Sequence, residues 1–182
     1  MTSQRADFCY TPFNLAVVIN NREMSITEAN DFLTWVFNNE HEFVHVAYRY
    51  DRRKLFIETK QYSNYLQNKK QIKSERSAIA KDYEDAGINT SVNEFFYAEI
   101  DPHHFLKSLR LRILYFNKDH QARTTLRRIL KHYGYRRRSH TIIEEIELYL
   151  EALDLVITEN GRDVDLFKVK LDDRLVLEAK TK

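Results

Sequence analysis

The chain has 182 residues, a length that fits one large domain or two small ones, and its hydrophobic content of 43% is enough to build a core. Three glycines and two prolines argue against a Gly-rich phosphate-binding loop and disordered linkers, and a single cysteine excludes an intrachain disulfide and a Cys-rich zinc site. The formal net charge of +2 is too small to indicate a nucleic-acid partner by itself. The distribution of charge along the chain does indicate one.

The first 116 residues are predicted to form a mixed α+β domain. A short apolar run at 13–19 is typical of a buried strand. Ser25 and Glu28 form a capping box, because each side chain can bond to the backbone amide of the other, and this predicts a helix from there to about Asn38.

The rest of this domain alternates β-like and helical patterns. Residues 43–50 and 55–59 are rich in β-formers and flank a basic turn, which predicts a hairpin. The polar stretch 61–83 predicts a long exposed helix. A strand at 95–100 and a helix that begins at Asp101-Pro102 follow, and the domain boundary is predicted at 117–120.

Residues 121–182 are predicted to form a second, winged-helix-like domain. Helical patterns cover about Ala122–Tyr133 and His140–Leu153, with Gly134 as the stop of the first helix and Ser139 as the N-cap of the second.

Two β-like runs follow at 164–171 and 174–179, after a turn at Asn160-Gly161. They are predicted to pair as a ribbon. Two helices followed by a two-stranded ribbon is the order of a winged helix, and the fold class of the whole chain is therefore predicted to be α+β.

Charge changes sign within this second domain. From Arg123 to Arg138 the chain carries seven lysines and arginines and no acid, and from Ser139 to Asn160 it carries six acids and no lysine or arginine. Clustered arginines neutralise phosphates and release counterions, and a basic turn before a helix N-terminus adds the attraction of the helix dipole. The pattern predicts contact with double-stranded DNA.

The predicted contacts lie on the first helix, the turn, the start of the second helix and the ribbon. They are Arg127, Arg128, Lys131, Arg136, Arg137, Arg138, Ser139, His140, Lys168, Lys170 and Arg174. The second helix itself carries acids from Glu144 to Glu151, which phosphates would repel. We therefore expect the N-terminal end of this helix to approach DNA. The alternatives are that its acidic face meets a protein partner or that the helix packs away from DNA.

The segment ILKHYGYRRRSHTIIEEIELYLEALDLVI, residues 129–157, resembles a helical module of bacterial proteins that is often found beside restriction or other defence domains. The shared pattern is an aliphatic pair, an aromatic residue before a glycine, two or three arginines, a small residue and regularly spaced Ile and Leu. The matching residues are Ile129, Leu130, Tyr133, Gly134, Arg136 to Arg138, Ile143, Ile146, Leu150 and Leu155. The resemblance implies a DNA-binding role in a bacterial or mobile-element system.

A second hypothesis is a Mg²⁺-dependent nuclease. A β-like run that ends in Glu178-Ala-Lys180, with Asp165 upstream, is similar to the metal-binding core of PD-(D/E)xK nucleases. The resemblance implies that the acids, with Glu159 as a further candidate, hold Mg²⁺ while the lysine orients the attacking water. The first hypothesis requires no catalytic site and no cofactor, and a third is a protein-interaction adaptor that uses the acidic helix.

Two further candidates lie in the first domain. Aromatic and basic residues alternate over 48–54, ahead of Lys69, Lys70 and Lys73, a pattern that suits base stacking and phosphate contact. His41 and His45 are four apart, but on a predicted strand they would not share a metal ion, so we predict no metal site there.

The N-terminal segment MTSQRADFCYTPF lacks the apolar run of a signal peptide. No stretch approaches the roughly 18 apolar residues that a membrane helix needs. We expect a cytoplasmic protein that does not contact membranes, with its oligomeric state left open.

Overall fold

The computed structural model describes residues 8–85, 103–133 and 135–180. The chain forms two compact units, Tyr10–Asp101 and Pro102–Lys182, the second of which also includes Met1–Cys9. This division precedes the boundary predicted at 117–120, because the helix that starts at His104 and the turn after it pack within the second unit. The described elements are helices and one antiparallel sheet, which confirms the α+β class.

The N-terminal unit is built from helices in its described part. Their bounds are α1 Pro12–Asn21, α2 Ile26–Asn39, α3 Val46–Arg49 and α4 Arg52–Asp85, with a 3₁₀ turn at His41–Phe43. The only β-type pairing in residues 10–85 is an isolated bridge between Tyr10 and Val44. The strand predicted at 95–100 lies outside the described residues.

The strand predicted at 13–19 is wrong, because this segment belongs to helix α1. The Thr11 hydroxyl accepts a hydrogen bond from the Asn14 amide at 3.4 Å, and the Asn14 side chain accepts one from the Thr11 amide at 2.9 Å. Pro12 occupies the first helical position, where its missing N–H costs nothing. A short run of apolar residues has no period that distinguishes a buried helix from a buried strand, so these capping residues decide the structure.

Helix α2 begins at the predicted capping box. The Ser25 amide donates to the Glu28 carboxylate at 2.8 Å, and the Glu28 amide donates to the Ser25 hydroxyl at 3.3 Å. Phe32, Leu33 and Val36 are buried, at the spacing of one helix face, while Trp35 is half-buried beside them.

The hairpin predicted at 43–59 is also wrong, since these residues form α3 and the start of α4. Asp51 caps α4, because its carboxylate accepts from the Lys54 amide at 2.9 Å. Leu55 and Thr59 are both fully buried, and their spacing of four residues is that of a helix rather than a strand. The long helix predicted at 61–83 is confirmed, and it is longer at its N-terminal end.

Helices α1 and α4 are joined by a buried polar contact. The Asn20 side-chain amide donates to the Ser63 hydroxyl at 2.8 Å and to the Ala16 carbonyl at 3.0 Å, with the Asn20 residue 5% exposed. We expect Asn20→Ala to lower the free energy of unfolding by about 1–3 kcal/mol, because the partner groups would stay buried and unpaired. Urea denaturation measures this loss. Asn21→Ala is the matched control, since Asn21 is exposed and its replacement should cost less than about 0.5 kcal/mol.

The C-terminal unit combines three helices with a four-stranded sheet. Its elements are α5 His104–Leu111, a π-helical turn Arg112–Phe116, β1 Gln121–Thr124, α6 Leu126–His132, α7 His140–Ala152, β2 Leu155–Glu159, β3 Arg162–Asp163 and β4 Leu175–Ala179. The strand order is β1-β4-β2-β3, and all neighbours are antiparallel. No helix in the described ranges has the length and apolar character needed to cross a bilayer.

The helix predicted to start at Ala122 starts four residues later, and a strand takes its place. β1 pairs with β4, and its alternate residues Ala122 and Thr124 are buried. Thr125 then caps α6, because its hydroxyl accepts from the Arg128 amide at 3.2 Å. The predicted stop at Gly134 lies outside the described residues.

The ribbon predicted between 164–171 and 174–179 is half correct. β4 forms, but it pairs with β1 and β2, and residues 164–174 connect β3 to β4 as a loop without strand structure. In this β3–β4 loop the amides of Lys168 and Val169 both donate to the Asp165 carbonyl at 3.0 Å, which closes a turn. Leu166 and Val169 are buried, three residues apart, so the loop is anchored in the core by a turn rather than by alternation.

Helix α7 is the predicted helix with the predicted cap. The Ser139 hydroxyl accepts from the Ile142 amide at 3.5 Å. The buried stripe of α7 consists of Ile142, Ile143, Ile146, Tyr149 and Leu150. The opposite face is exposed and carries the acidic residues.

Candidate nucleic-acid interface

Two arginines lie exposed at the N-terminal end of α7. Arg136 and Arg137 lie three and two residues before the cap Ser139, and neither guanidinium has a hydrogen bond or ion pair in the described part of the chain. The first amides of a helix have no partner within the helix, and the helix dipole gives this end a partial positive charge. The turn and the helix end therefore form one electropositive surface.

Helix α6 adds two further cations. Arg128 and Lys131 are exposed and three residues apart, so they lie on the same face of the helix. The neighbouring His132 responds to them: burial lowers the pKa of its imidazole, and the charges of His104, Arg128 and Lys131 lower that pKa further. The cations of α6 therefore disfavour protonation of the neighbouring His132 imidazole.

Arg127, by contrast, is paired within the chain. Its Nε and terminal nitrogen donate to the two carboxylate oxygens of Asp172 at 2.6 and 2.7 Å. The hydrogen bonds and charge of the pair raise the pKa of Arg127 and lower that of Asp172. The backbone amide of Arg127 also donates to the Leu171 carbonyl at 2.9 Å, so the residue is joined twice to the β3–β4 loop.

Arg138 is likewise committed to the β3–β4 loop. A single terminal nitrogen of its guanidinium donates to the carbonyls of Leu166 at 3.0 Å and Val169 at 2.7 Å. The sequence presents three consecutive arginines as one cluster. In the described part of the chain, Arg136 and Arg137 have no partner, whereas Arg138 holds a loop.

Three cations of the β3–β4 loop were predicted as contacts. Lys168 pairs with Asp165 at 2.8 Å, and this hydrogen bond and charge raise the pKa of Lys168 and lower that of Asp165. Lys170 and Arg174 are exposed, and their side chains have no polar partner among the described residues. Exposed pairs such as Lys168–Asp165 are weak, so a phosphate can compete with the carboxylate.

The outer face of α7 is acidic, as predicted. Glu144, Glu147 and Glu151 are exposed along it, and Leu148 lies among them with 51% of its surface accessible. His140, at the first helical position, is 3.1 Å from the Glu144 carboxylate. Phosphates are attracted to the N-terminal end of this helix and repelled by its side.

An aromatic cluster that the sequence pattern does not indicate includes Tyr133, which lies shortly before the turn that carries Arg136 to Arg138. The ring of His103 stacks on Tyr149, with centroids 3.1 Å apart and an angle of 12° between the rings. Its Nδ1 lies 3.0 Å from the Tyr133 hydroxyl, and its Nε2 lies 3.6 Å from the Glu145 carboxylate. This cluster joins α5, the end of α6 and α7. Its members are more than ten residues apart, and no local spacing signals it.

The residues of the nuclease hypothesis lie in different environments. Asp165 is in the β3–β4 loop beside Lys168, whereas Glu178 is on β4 and accepts a hydrogen bond from the Gln121 side chain at 2.5 Å. An open depression of about 670 Å³ contains Asp165 and Glu159 but neither Glu178 nor Lys180. Over the described ranges no three His, Cys, Asp or Glu side chains are placed to hold a metal ion.

The aromatic and basic residues at 48–54 form the junction of α3 and α4 rather than a hairpin tip. The Lys54 ammonium lies 5.0 Å from the centre of the Tyr48 ring, and the Tyr48 hydroxyl donates to Glu58 at 2.6 Å. Tyr50 is 81% exposed. His45 caps α3 by accepting from the Ala47 amide, which gives it a structural role. The side chains of Lys69, Lys70 and Lys73 lie outside the described part.

The pair between Arg127 and Asp172 can be tested by its effect on the carboxyl group. A carboxylate that accepts two guanidinium hydrogen bonds is stabilised in its charged form, so the pKa of Asp172 should lie below its ordinary value and rise in Arg127→Gln. Because the folded-state pKa is the lower one, the contribution of this pair to stability is present at neutral pH and is lost as pH falls through that pKa. NMR titration of the carboxyl carbons measures the shift, and Arg128→Gln is the control that should leave it unchanged.

Comparison with known proteins identifies no relative. No family model, no curated protein and no solved structure matches the chain.

Proposed function

We propose that the chain is a double-stranded DNA-binding protein of a bacterial or mobile-element system, and that its C-terminal unit is a winged helix. The order is helix–strand–helix–helix followed by three strands, with the two-residue β3 at the edge and β4 between β1 and β2, and this order supports the proposal. In this proposal the β3–β4 loop serves as the wing. The resemblance of residues 129–157 to a defence-associated module supports the same class.

The observation that carries the proposal is a pair of exposed arginines, Arg136 and Arg137, which have no partner among the described residues and lie at the N-terminus of a 13-residue helix. Exposed guanidinium groups are strong phosphate ligands, and a helix N-terminus offers amide donors and a favourable dipole to the same phosphate. Arg128 and Lys131 on α6 and the cations of the β3–β4 loop are exposed as well, and the contacts of Arg127 and Arg138 join that loop to α6 and to the start of α7.

The acidic side of α7 determines the docking geometry. In a helix-turn-helix protein the second helix lies in the major groove and crosses between two phosphate backbones. Glu144, Glu147 and Glu151 would then face phosphates at close range, which is unfavourable. We infer that α7 meets DNA with its N-terminal end, where Ser139 and His140 are closest to the duplex.

Substitution of the turn tests the proposal directly. We expect Arg136→Ala/Arg137→Ala to weaken binding to a labelled duplex and to reduce the slope of log K against log salt by about 1.8, because about 0.9 is lost for each phosphate contact. Fluorescence anisotropy over a salt series measures both quantities.

A matched control removes the same charge elsewhere in the unit. Lys118→Ala/Lys180→Ala also removes two exposed cations, but these residues flank β1 and β4 at the end of the sheet where α7 terminates. The control should retain nearly the wild-type slope. Equal losses in both double variants would show that net charge, and not this surface, determines binding, and the proposed interface would be rejected.

A cleavage assay with the same protein and duplex DNA distinguishes the nuclease hypothesis from DNA binding alone. Incubation of the protein with duplex DNA and Mg²⁺ should leave the DNA intact if the chain only binds it. Cleavage that Glu178→Ala abolishes would instead support the Mg²⁺-dependent reaction, with Asp165, Glu178 and Lys180 as the residues to examine.

One observation favours an adaptor function beside DNA binding. Leu148 is half exposed on α7 between Glu144 and Glu151, so this face offers an apolar contact inside an acidic border. A partner with basic residues around an apolar pocket would fit it. Self-association that Leu148→Glu abolishes, measured by size-exclusion chromatography with light scattering, would support contact between copies of the chain.

A further inference from the structure

The β3–β4 loop, residues 164–174, is held at both ends by arginines that the sequence pattern assigns to DNA. We propose that Arg138 and Arg127 are positioning residues of the DNA interface, which act by fixing the loop that carries Lys168, Lys170 and Arg174. This inference rests on the proposed function and concerns how its interface is built.

Arg138 holds the first part of the loop. Its guanidinium donates to the Leu166 and Val169 carbonyls at 3.0 and 2.7 Å, and both of these loop residues are buried, at 1% and 7% exposure. Backbone carbonyls are neutral acceptors that do not titrate, so the contact is present at every pH at which the protein is folded. Both bonds come from Nη1, so one nitrogen of the guanidinium holds two carbonyls of the loop.

Arg127 holds the last part of the loop. Its backbone amide donates to the Leu171 carbonyl, and its side chain forms the two-bond contact with Asp172. These contacts join the loop to the first turn of α6, while Arg138 joins it to the start of α7. Both ends of the loop are thus attached beside the two elements that carry Arg128, Lys131, Arg136 and Arg137.

A fixed loop has a direct consequence for phosphate binding. A flexible segment must lose conformational entropy when its lysines bind, and this cost is subtracted from the gain of counterion release. In the folded protein the loop is already ordered, so Lys168, Lys170 and Arg174 can contact phosphates without that cost. Loss of Arg138 should therefore remove the contribution of the three loop cations, although Arg138 itself contacts no phosphate.

A double-mutant cycle separates positioning from direct contact. The four proteins are the wild type, Arg138→Met, the loop variant Lys168→Gln/Lys170→Gln/Arg174→Gln, and the combination of both. Anisotropy with a labelled duplex over a salt series gives the slope of log K against log salt for each. If Arg138 acts through the loop, Arg138→Met reduces the slope by clearly more than about 0.9 in the wild type, but has little further effect in the loop variant.

Each outcome decides between the alternatives. A loss of about 0.9 that is equal in both backgrounds means that Arg138 contacts one phosphate itself, and the inference is then overturned while the proposed function stands. A wild-type protein that does not bind duplex DNA overturns both. Arg137→Met is the matched control, because this neighbour has no partner in the loop and should show the equal loss.

A second measurement examines the loop without DNA. In Arg138→Met the backbone amides of 164–173 should exchange with deuterium faster than in the wild type, whereas in Arg137→Met they should not. Thermal unfolding verifies that each variant is folded. If Arg138→Met does not fold, Arg127→Met replaces it in the same cycle, because it releases the loop from the other end. Unchanged exchange in a folded Arg138→Met would refute the positioning role.

Discussion

The affinity of the chain for duplex DNA is expected to fall by about 10³- to 10⁴-fold when the salt concentration rises from about 50 to about 200 mM. The cations assigned to direct contact are Arg128, Lys131, Arg136, Arg137, Lys168, Lys170 and Arg174. If each neutralises one phosphate, the slope of log K against log salt is about −6. Anisotropy titrations at five or six salt concentrations measure this slope.

Single-stranded DNA of the same length provides the control for this result. Its lower charge density reduces the slope to about −0.7 for each contact instead of about −0.9, and an interface built on a rigid unit should engage fewer of its phosphates. A slope near zero for the duplex would contradict phosphate-based binding. A steeper slope for the single strand would contradict the preference for duplex DNA.

Replacement of Ile143 by aspartate is expected to unfold the C-terminal unit. Ile143 is fully buried in the apolar stripe of α7, where a carboxylate would lose its hydration. An uncompensated buried carboxylate costs about 4 kcal/mol or more, which is comparable to the total stability of a small unit. Urea denaturation followed by circular dichroism measures the loss.

Thr141→Asp is the matched control for that substitution. Thr141 is exposed in the first turn of the same helix, where an acid interacts favourably with the helix dipole, so the protein should remain folded. The same change places a negative charge beside Arg136 and Arg137. It should therefore weaken DNA binding while it preserves stability. If the two aspartate variants were equally destabilised, the assignment of the α7 stripe to the core would be wrong.

The elements that could be predicted from sequence are those with local signals. The capping box at Ser25 and Glu28 and the cap at Ser139 mark α2 and α7, because the hydrogen bonds that define them join residues three apart. The buried stripe of α7 follows from its helical period. For the same reason the sequence alone places Arg136 and Arg137 at a helix N-terminus.

The wrongly predicted elements are preceded by helix-capping residues, but their apolar residues also fit a strand. Thr11, Asp51 and Thr125 each cap a helix. The sequence pattern predicts β-structure after the first two caps, and it predicts that the third helix begins before its cap. Runs of β-formers at 13–19 and 43–50 favoured strands, but burial on a helix face stabilises the same residues equally well. Caps decide such segments more reliably than composition.

The sequence could not predict which arginines face solvent and which bind the β3–β4 loop. Arg127 and Asp172 are 45 residues apart, and Arg138 is 28 and 31 residues from the carbonyls that it holds. Only the folded chain brings them together. By sequence, Arg137 and Arg138 are equivalent neighbours, whereas in the structure one faces solvent and the other is attached to a loop.

The position of Trp35 has a practical consequence for all of these measurements. It is the only tryptophan in the chain, and it lies half-buried on α2, in the N-terminal unit. Its fluorescence therefore reports the unfolding of that unit, whereas the tyrosines beside His103 belong to the other. Excitation at a wavelength selective for indole will follow Asn20→Ala, and far-ultraviolet dichroism will detect the loss of helix in Ile143→Asp. The fluorescence of Trp35 thus distinguishes the unfolding of the N-terminal unit from that of the C-terminal unit without chemical modification.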